Sequence, residues 1–177
     1  MAVGFVLWTV VTQVWSDRIA NLQFDRAQYA AGAVWMLFAA QWVHLGFAHA
    51  TLNGAMLVLM VLALRGWVPV RMQWVALAGG YAGVAIIIAL DPHCLYYAGA
   101  SGALHGLWAG SAVWLLVRHG AQRRGDGVWL GVAMLLALVF KLAWQAWAGE
   151  HGGVIVDGIA TYFPAHWGGT LGGLVAV

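Results

Sequence analysis

Long apolar runs, broken by short polar or charged segments, are the dominant pattern along the chain. A bilayer core about 30 Å thick needs roughly 20 apolar residues per spanning helix, and several runs approach that length. The alternating segments of about 10 residues that a membrane β-barrel requires are not seen. The pattern therefore predicts an all-α membrane protein with six transmembrane helices, near residues 2–16, 45–64, 72–90, 99–117, 127–148 and 164–177.

The composition excludes a soluble globular protein. Hydrophobic residues make up 63% of the 177 residues and charged residues 8%, against about 45–50% and about 25% in an ordinary soluble domain. The single cysteine, Cys94, permits neither an internal disulfide nor a thiolate metal site. We therefore expect a single transmembrane domain over residues 1–177, with the lipid bilayer as its surroundings and no nucleic-acid partner.

The positions of the basic residues predict the orientation of the bundle. Arg65 and Arg71 flank the link between the second and third spans, and Arg118, Arg123 and Arg124 lie between the fourth and fifth. Basic residues are retained on the cytoplasmic side of a membrane, so both links are expected there. Both termini then face the cytoplasm, and the second, fourth and sixth spans enter from the outer face.

Polar side chains gather at the outer ends of those three spans. A polar group in a membrane helix is costly, so each of them is a functional candidate. Because the three helices enter from the same face, these groups lie at similar depth. A serine, imidazoles and a carboxamide placed together could supply the nucleophile, base and oxyanion donors of acyl transfer. The residues are His44, His49 and Asn53 in the second span, Ser101 and His105 in the fourth, and His166 in the sixth.

Glycine spacing predicts close packing between the fourth and sixth spans. Glycines recur every four residues over 102–110, and the sixth span repeats this spacing over 168–173. Small residues at this interval let helix backbones approach closely, which would bring His166 toward Ser101. The alternative is that Ser101 merely belongs to a small-residue packing face.

Three motifs together resemble the rhomboid intramembrane serine proteases over essentially the whole chain. More narrowly, residues 97–106 resemble the rhombosortase branch, in which a histidine follows the serine by four residues. Members of that branch cleave C-terminal Gly-Gly sorting tails of exported proteins. The three motifs are His49-x-x-x-Asn53, Gly99-x-Ser101-Gly102 and Ala165-His166-x-x-Gly169-x-x-x-Gly173.

The resemblance implies a catalytic dyad that needs no cofactor and no metal. Ser101 would be the nucleophile and His166 the general base, while His49, Asn53 and the backbone N–H of Ser101 would form the oxyanion hole. His105 also lies one helical turn from Ser101 and is a second candidate for the base. Two side chains on one helix rarely reach the alignment that proton transfer needs, so His166 is preferred.

Other residues of these motifs are expected to support the dyad. His105 stands where many relatives have a tyrosine that packs against the catalytic histidine, and His44 is expected to be structural. Gly99 and Gly102 complete the serine motif. One departure from the family pattern is Met36, because many rhomboids carry Trp-Arg in the first outer loop. The role of that arginine in fixing the loop is therefore in doubt.

The resemblance also implies a place and a partner. The chain would lie in a bacterial inner (cytoplasmic) membrane, with its site toward the periplasmic or outer face, and would act on membrane-anchored protein substrates. Whether an accessory protein escorts the substrate stays open. The alternatives are a general rhomboid protease acting on other single-span substrates, an inactive rhomboid-like protein that binds clients, and a histidine-lined metal or proton transporter. The transporter is disfavoured because the polar groups share one depth and form no relay.

Overall fold

A computed structural model describes residues 21–122, 125–150, 155–156 and 159–177. The first predicted span, near residues 2–16, lies outside the described residues. Helices occupy the other predicted spans, each within a few residues of the expected bounds. They are α3 (Phe47–Ala63), α4 (Val70–Leu90), α5 (Ser101–Ala121), α6 (Gly125–Glu150) and α7 (Pro164–Ala176), preceded by the short α1 (Arg26–Ala30) and α2 (Met36–Ala39).

The helices have the length and polarity of a membrane protein. Among the described residues, α4 and Gly125–Ala148 of α6 are long and apolar enough to cross a bilayer. The pair Met36–Trp42 and Phe47–Ala63, bent by 87°, becomes a third candidate when it is counted as one span. The other two predicted spans do not meet this measure, since α5 carries polar residues and α7 has only 13 residues. The structure thus supports an all-α membrane protein, while the count of six spans stays a prediction.

Short β-strands are present in the loops, whereas the sequence predicted helices alone. Strand β1 (Phe24–Asp25) pairs antiparallel with β2 (Tyr96–Tyr97), and β3 (Ile155–Val156) pairs with β4 (Ile159–Ala160). Each strand has two residues, too few to show the alternating hydrophobic pattern from which a strand is predicted. Pairing occurs because backbone N–H and C=O groups outside helices still need hydrogen-bond partners.

Arg26 holds the loop that follows α4. Its guanidinium group donates to the carbonyl oxygens of Ala89 at 3.0 Å and Cys94 at 3.2 Å, and also to those of Ile88 and Asp91. The last carbonyls of a helix have no partner within it and carry partial negative charge, so a cation there satisfies and stabilises them. An arginine thus fixes a loop here, although position 36, where the family resemblance would place one, is a methionine.

The same loop is tied to the segment before α7. The Tyr162 hydroxyl donates to the carboxylate of Asp91, which holds the pKa of that carboxyl below its ordinary value. Cys94 is 1% exposed, and burial raises the pKa of its thiol to about 11. A thiol so protonated and enclosed is unreactive. The segment around Arg26, the loop after α4 and the segment before α7 are therefore connected to one another.

Helices α5 and α7 run parallel at very close distance. A Cβ atom built on any of three glycines of α5 would lie only 2.7 Å from a backbone oxygen of α7. The contacts advance by four residues on both helices, so they form a regular ladder along the interface. The pairs are Gly102 with Ala165, Gly106 with Gly169, and Gly110 with Gly173. This predicted packing brings the first turns of the two helices side by side.

Helix α4 completes a tight group of three. It runs antiparallel to α7, since Gly83 contacts Gly168 while Gly79 contacts Gly172 and Ala176. Helix α6 packs against α5, where the Trp108 indole N–H donates to a carbonyl oxygen of α6 at 2.9 Å. Because α6 also runs antiparallel to α5, the C-terminal half of α6 reaches the level at which α5 and α7 begin.

Candidate active site

Ser101 and His166 face each other at the start of two adjacent helices. Ser101 is the first residue of α5, and His166 lies in the first turn of α7 behind Pro164. The Ser101 Oγ and His166 Nε2 atoms are 3.0 Å apart. That distance is within the roughly 2.6–3.2 Å that a general base needs. The regular glycine contacts between α5 and α7, here called the glycine ladder, fix the separation of the two backbones.

His105 contacts the His166 ring and the backbone of Ser101. Its ring stacks on that of His166, with centroids 4.1 Å apart and an interplanar angle of 15°. Its Nδ1 lies 2.7 Å from the carbonyl oxygen of Ser101, and since a carbonyl only accepts, Nδ1–H is the donor. The ring is thus held against His166 by its own helix.

Gln145 meets the far side of the His166 ring. Its Oε1 atom lies 2.9 Å from His166 Nδ1, and both side chains are buried. Sequence reasoning missed this residue. The sequence did contain a signal for it, because a glutamine in an apolar membrane span is costly for the same reason as the histidines.

Asn53 provides an amide group beside the serine. It is 6% exposed, and its Nδ2 atom has no hydrogen-bond partner among the described residues. A buried, unpaired donor is rare in proteins and requires an explanation. Asn53, Ser101 and His166 line one cavity, so a group that enters this cavity can accept the hydrogen bond.

His49 lies over the turn that precedes Ser101. Gly99 in that turn has a φ of +122°, which favours glycine. A Cβ atom at Gly99 would also lie 2.6 Å from the His49 ring. Behind His49, His44 is fully buried, packs edge-on against it and lies 3.5 Å from the backbone N of Ala100. The structure therefore groups all the polar residues predicted from the three spans.

The cavity beside Ser101 is lined by residues of α3, α5, α6 and α7 and has a volume of about 180 Å³. Its polar side carries Ser101, Asn53 and His166, together with His105 and Lys141. Lys141, in the middle of an apolar helix, is therefore placed against the site. The apolar side is formed by Leu52, Met56, Met60, Leu104 and Trp108.

The family comparison agrees with this arrangement. A model described as Rhomboid domain matches residues 31–177, so the chain belongs to the rhomboid family, and the predicted family is confirmed. No curated protein and no solved structure matches the chain significantly. Rhomboid proteins are in general intramembrane serine proteases that act on membrane-anchored substrates within the bilayer. The chain is accordingly a membrane protein of an intramembrane protease family.

Proposed function

We propose that this chain is an active rhomboid-type serine endopeptidase with Ser101 as nucleophile and His166 as general base. The 3.0 Å contact between Ser101 Oγ and His166 Nε2 is the observation that carries the proposal. The serine oxygen attacks the scissile carbonyl while His166 takes the hydroxyl proton, then passes it to the leaving amine. Water, activated by His166 in the same way, releases the acyl group and restores the serine.

The developing oxyanion is bound by hydrogen-bond donors close to Ser101. We assign this role to the side chains of His49 and Asn53 and to the backbone N–H of Ser101. The unpaired amide of Asn53 supports the assignment, since donors already satisfied by the protein would have to break a bond first.

Replacing Asn53 with alanine is expected to lower the rate of cleavage by about 10²–10³-fold, the usual loss for one oxyanion donor. The fold should remain intact because the Nδ2 group makes no hydrogen bond within the part of the chain that the structure describes. Turnover of a model substrate by Asn53→Ala measures this, with Thr51→Ala on the exposed side of the same helix as control. A rate within about twofold of wild type would remove Asn53 from the mechanism.

We further assign the chain to the rhombosortase branch, acting on C-terminal Gly-Gly tails near the outer face of a bacterial inner membrane, with both termini cytoplasmic. The stacked His105, four residues after Ser101, supports this branch. The small cavity supports it too, because a backbone with glycines bends and fits where larger side chains do not.

A cleavage assay separates the branch from a general rhomboid. Single-span substrates with a Gly-Gly segment before a C-terminal anchor are expected to be cut, with the new terminus identified by mass spectrometry. Replacing both glycines with valine should abolish the cut, and Ser101→Ala protein gives the baseline. Efficient cutting of an N-terminal anchor, insensitive to the small residues, would instead indicate a general rhomboid protease.

The two non-proteolytic alternatives predict different results in that assay. An inactive client-binding protein would retain the substrate without producing a new terminus. For a metal transporter, the described residues include no group of three or more His, Cys, Asp or Glu side chains placed to hold an ion. The transporter hypothesis thus gains no support from the part of the chain that the structure describes.

A further inference from the structure

We propose that Gln145 is a positioning residue that fixes the tautomer and orientation of His166. The inference rests on the proposed protease function and adds a third member to the serine–histidine pair. Its basis is the 2.9 Å contact between Gln145 Oε1 and His166 Nδ1, on the opposite side of the ring from Ser101. The two side chains are 8% and 3% exposed, so the contact is largely shielded from solvent.

The chemistry of the two groups determines which nitrogen carries the proton. An amide oxygen only accepts hydrogen bonds, so Nδ1 must be protonated to meet it. In neutral imidazole the other nitrogen, Nε2, is then an acceptor. Nε2 is the atom that faces the Ser101 hydroxyl. The glutamine therefore selects the one tautomer in which His166 can take the serine proton.

The same contact strengthens as the reaction proceeds. When His166 takes the proton it becomes a cation, and its Nδ1–H is then a better donor to Gln145. A carboxylate would stabilise this cation further, but an unpaired charge in a membrane interior is costly. A neutral amide provides the acceptor without that cost. Stacking by His105 holds the plane of the ring, whereas Gln145 sets its rotation.

The experiment measures the rate at which a fluorophosphonate labels Ser101, because this probe needs an activated serine and no substrate. Wild type, Gln145→Leu, Gln145→Asn and Gln145→Glu are compared, with Ser101→Ala as the unlabelled baseline. Gln73→Leu is the matched control. Gln73 is another buried glutamine, and its Nε2 atom donates to a backbone carbonyl oxygen. It lies in α4, away from the site.

We expect Gln145→Leu to be labelled about 5- to 150-fold more slowly, the loss that corresponds to one unpaired buried N–H. Gln145→Asn should also be slow, since its shorter side chain does not reach the ring. Gln145→Glu retains an acceptor and should recover a rate within about tenfold of wild type. Its carboxylate also favours protonated His166, so the acid limb of its pH–rate profile should move to higher pH. Gln73→Leu should be labelled at the wild-type rate.

The pH measurement must account for the other titratable groups around His166. These are His105 on α5, Lys141 on α6 and His49 on α3, and all three are the same in every variant compared. The displaced acid limb of Gln145→Glu therefore reports the residue at position 145. If the role of Gln145 were merely structural, Gln145→Leu and Gln145→Asn would have lower thermal midpoints, and the acceptor in Gln145→Glu would not restore the labelling rate.

Several outcomes overturn the inference. One is labelling of Gln145→Leu and Gln145→Asn at the wild-type rate. Another is a Gln145→Glu variant that is as slow as Gln145→Leu and has an unmoved acid limb, because the amide would then serve only to fill space. Failure of wild type itself to label would overturn the proposed protease function, and is thus distinguishable from failure of the role of Gln145.

Discussion

Replacing His166 with alanine is expected to abolish cleavage as completely as replacing Ser101. The loss should be about 10⁴- to 10⁶-fold, as in other hydrolases whose nucleophile and base act as a unit. The reason is geometric, since His166 Nε2 is the imidazole nitrogen that lies 3.0 Å from Ser101 Oγ. Turnover of a single-span substrate measures the effect, and the double variant should be no slower than either single one.

His105→Tyr provides the matched comparison. The His105 Nδ1 atom already donates to the carbonyl oxygen of Ser101, so this imidazole is engaged away from the hydroxyl. A tyrosine can retain the stacking on His166, and we expect measurable activity. If His105→Tyr were inactive while His166→Ala still cut the substrate, the dyad would have to lie within α5.

Adding one methyl group at Gly169 is expected to disrupt the bundle. A Cβ atom there would overlap the carbonyl oxygen of Gly102, a backbone atom that cannot rotate away. Overpacking of an interior costs about 1–3 kcal/mol, and we expect Gly169→Ala to lie at the upper end, about 3 kcal/mol. Thermal unfolding in detergent measures the stability. Activity should fall as well, because separating α5 from α7 separates Ser101 from His166.

Gly120→Ala is the control for this substitution. Gly120 lies near the end of α5, and nothing lies within 4 Å of a Cβ atom built there. Alanine is a better helix former than glycine by about 1 kcal/mol, so this variant should be as stable as wild type or slightly more stable. Equal stability of Gly169→Ala and Gly120→Ala would contradict the close approach of the two helices.

The position of the site could be predicted from topology and spacing. Polar residues at the starts of three helices that enter from one face must share a depth, and glycines four residues apart let two of those helices approach closely. In the structure, Ser101, Asn53 and His166 duly line one cavity. Their catalytic roles stay predictions until the variants above are measured.

Residues on α6 could not be placed from the sequence in the same way. Gln145 and Lys141 lie one turn apart on a helix whose rotation about its axis depends on how it crosses α5 and α7. No strong apolar face fixes that rotation, because lipid and protein interior are equally apolar. A membrane helix thus gives weaker evidence for the direction of its side chains than a helix in water does.

Arg26 illustrates a second limit. Its charge marks a loop between the apolar spans, but its partners are carbonyl oxygens that lie 62 or more residues later in the chain. Backbone carbonyls carry no sequence signature, so a contact of this kind is visible only once the fold brings both segments together.

The close glycine contacts also determine which positions tolerate larger side chains and which do not. On α4, α5 and α7, backbone meets backbone, so mutational drift toward larger residues is blocked along those faces. On α3 and α6, side chains such as Leu52, Met56 and Lys141 line the cavity and have room to vary. We therefore expect a laboratory library to change substrate preference through these cavity-lining positions of α3 and α6, while substitutions at the tightly packed glycines of α5 and α7 separate Ser101 from His166.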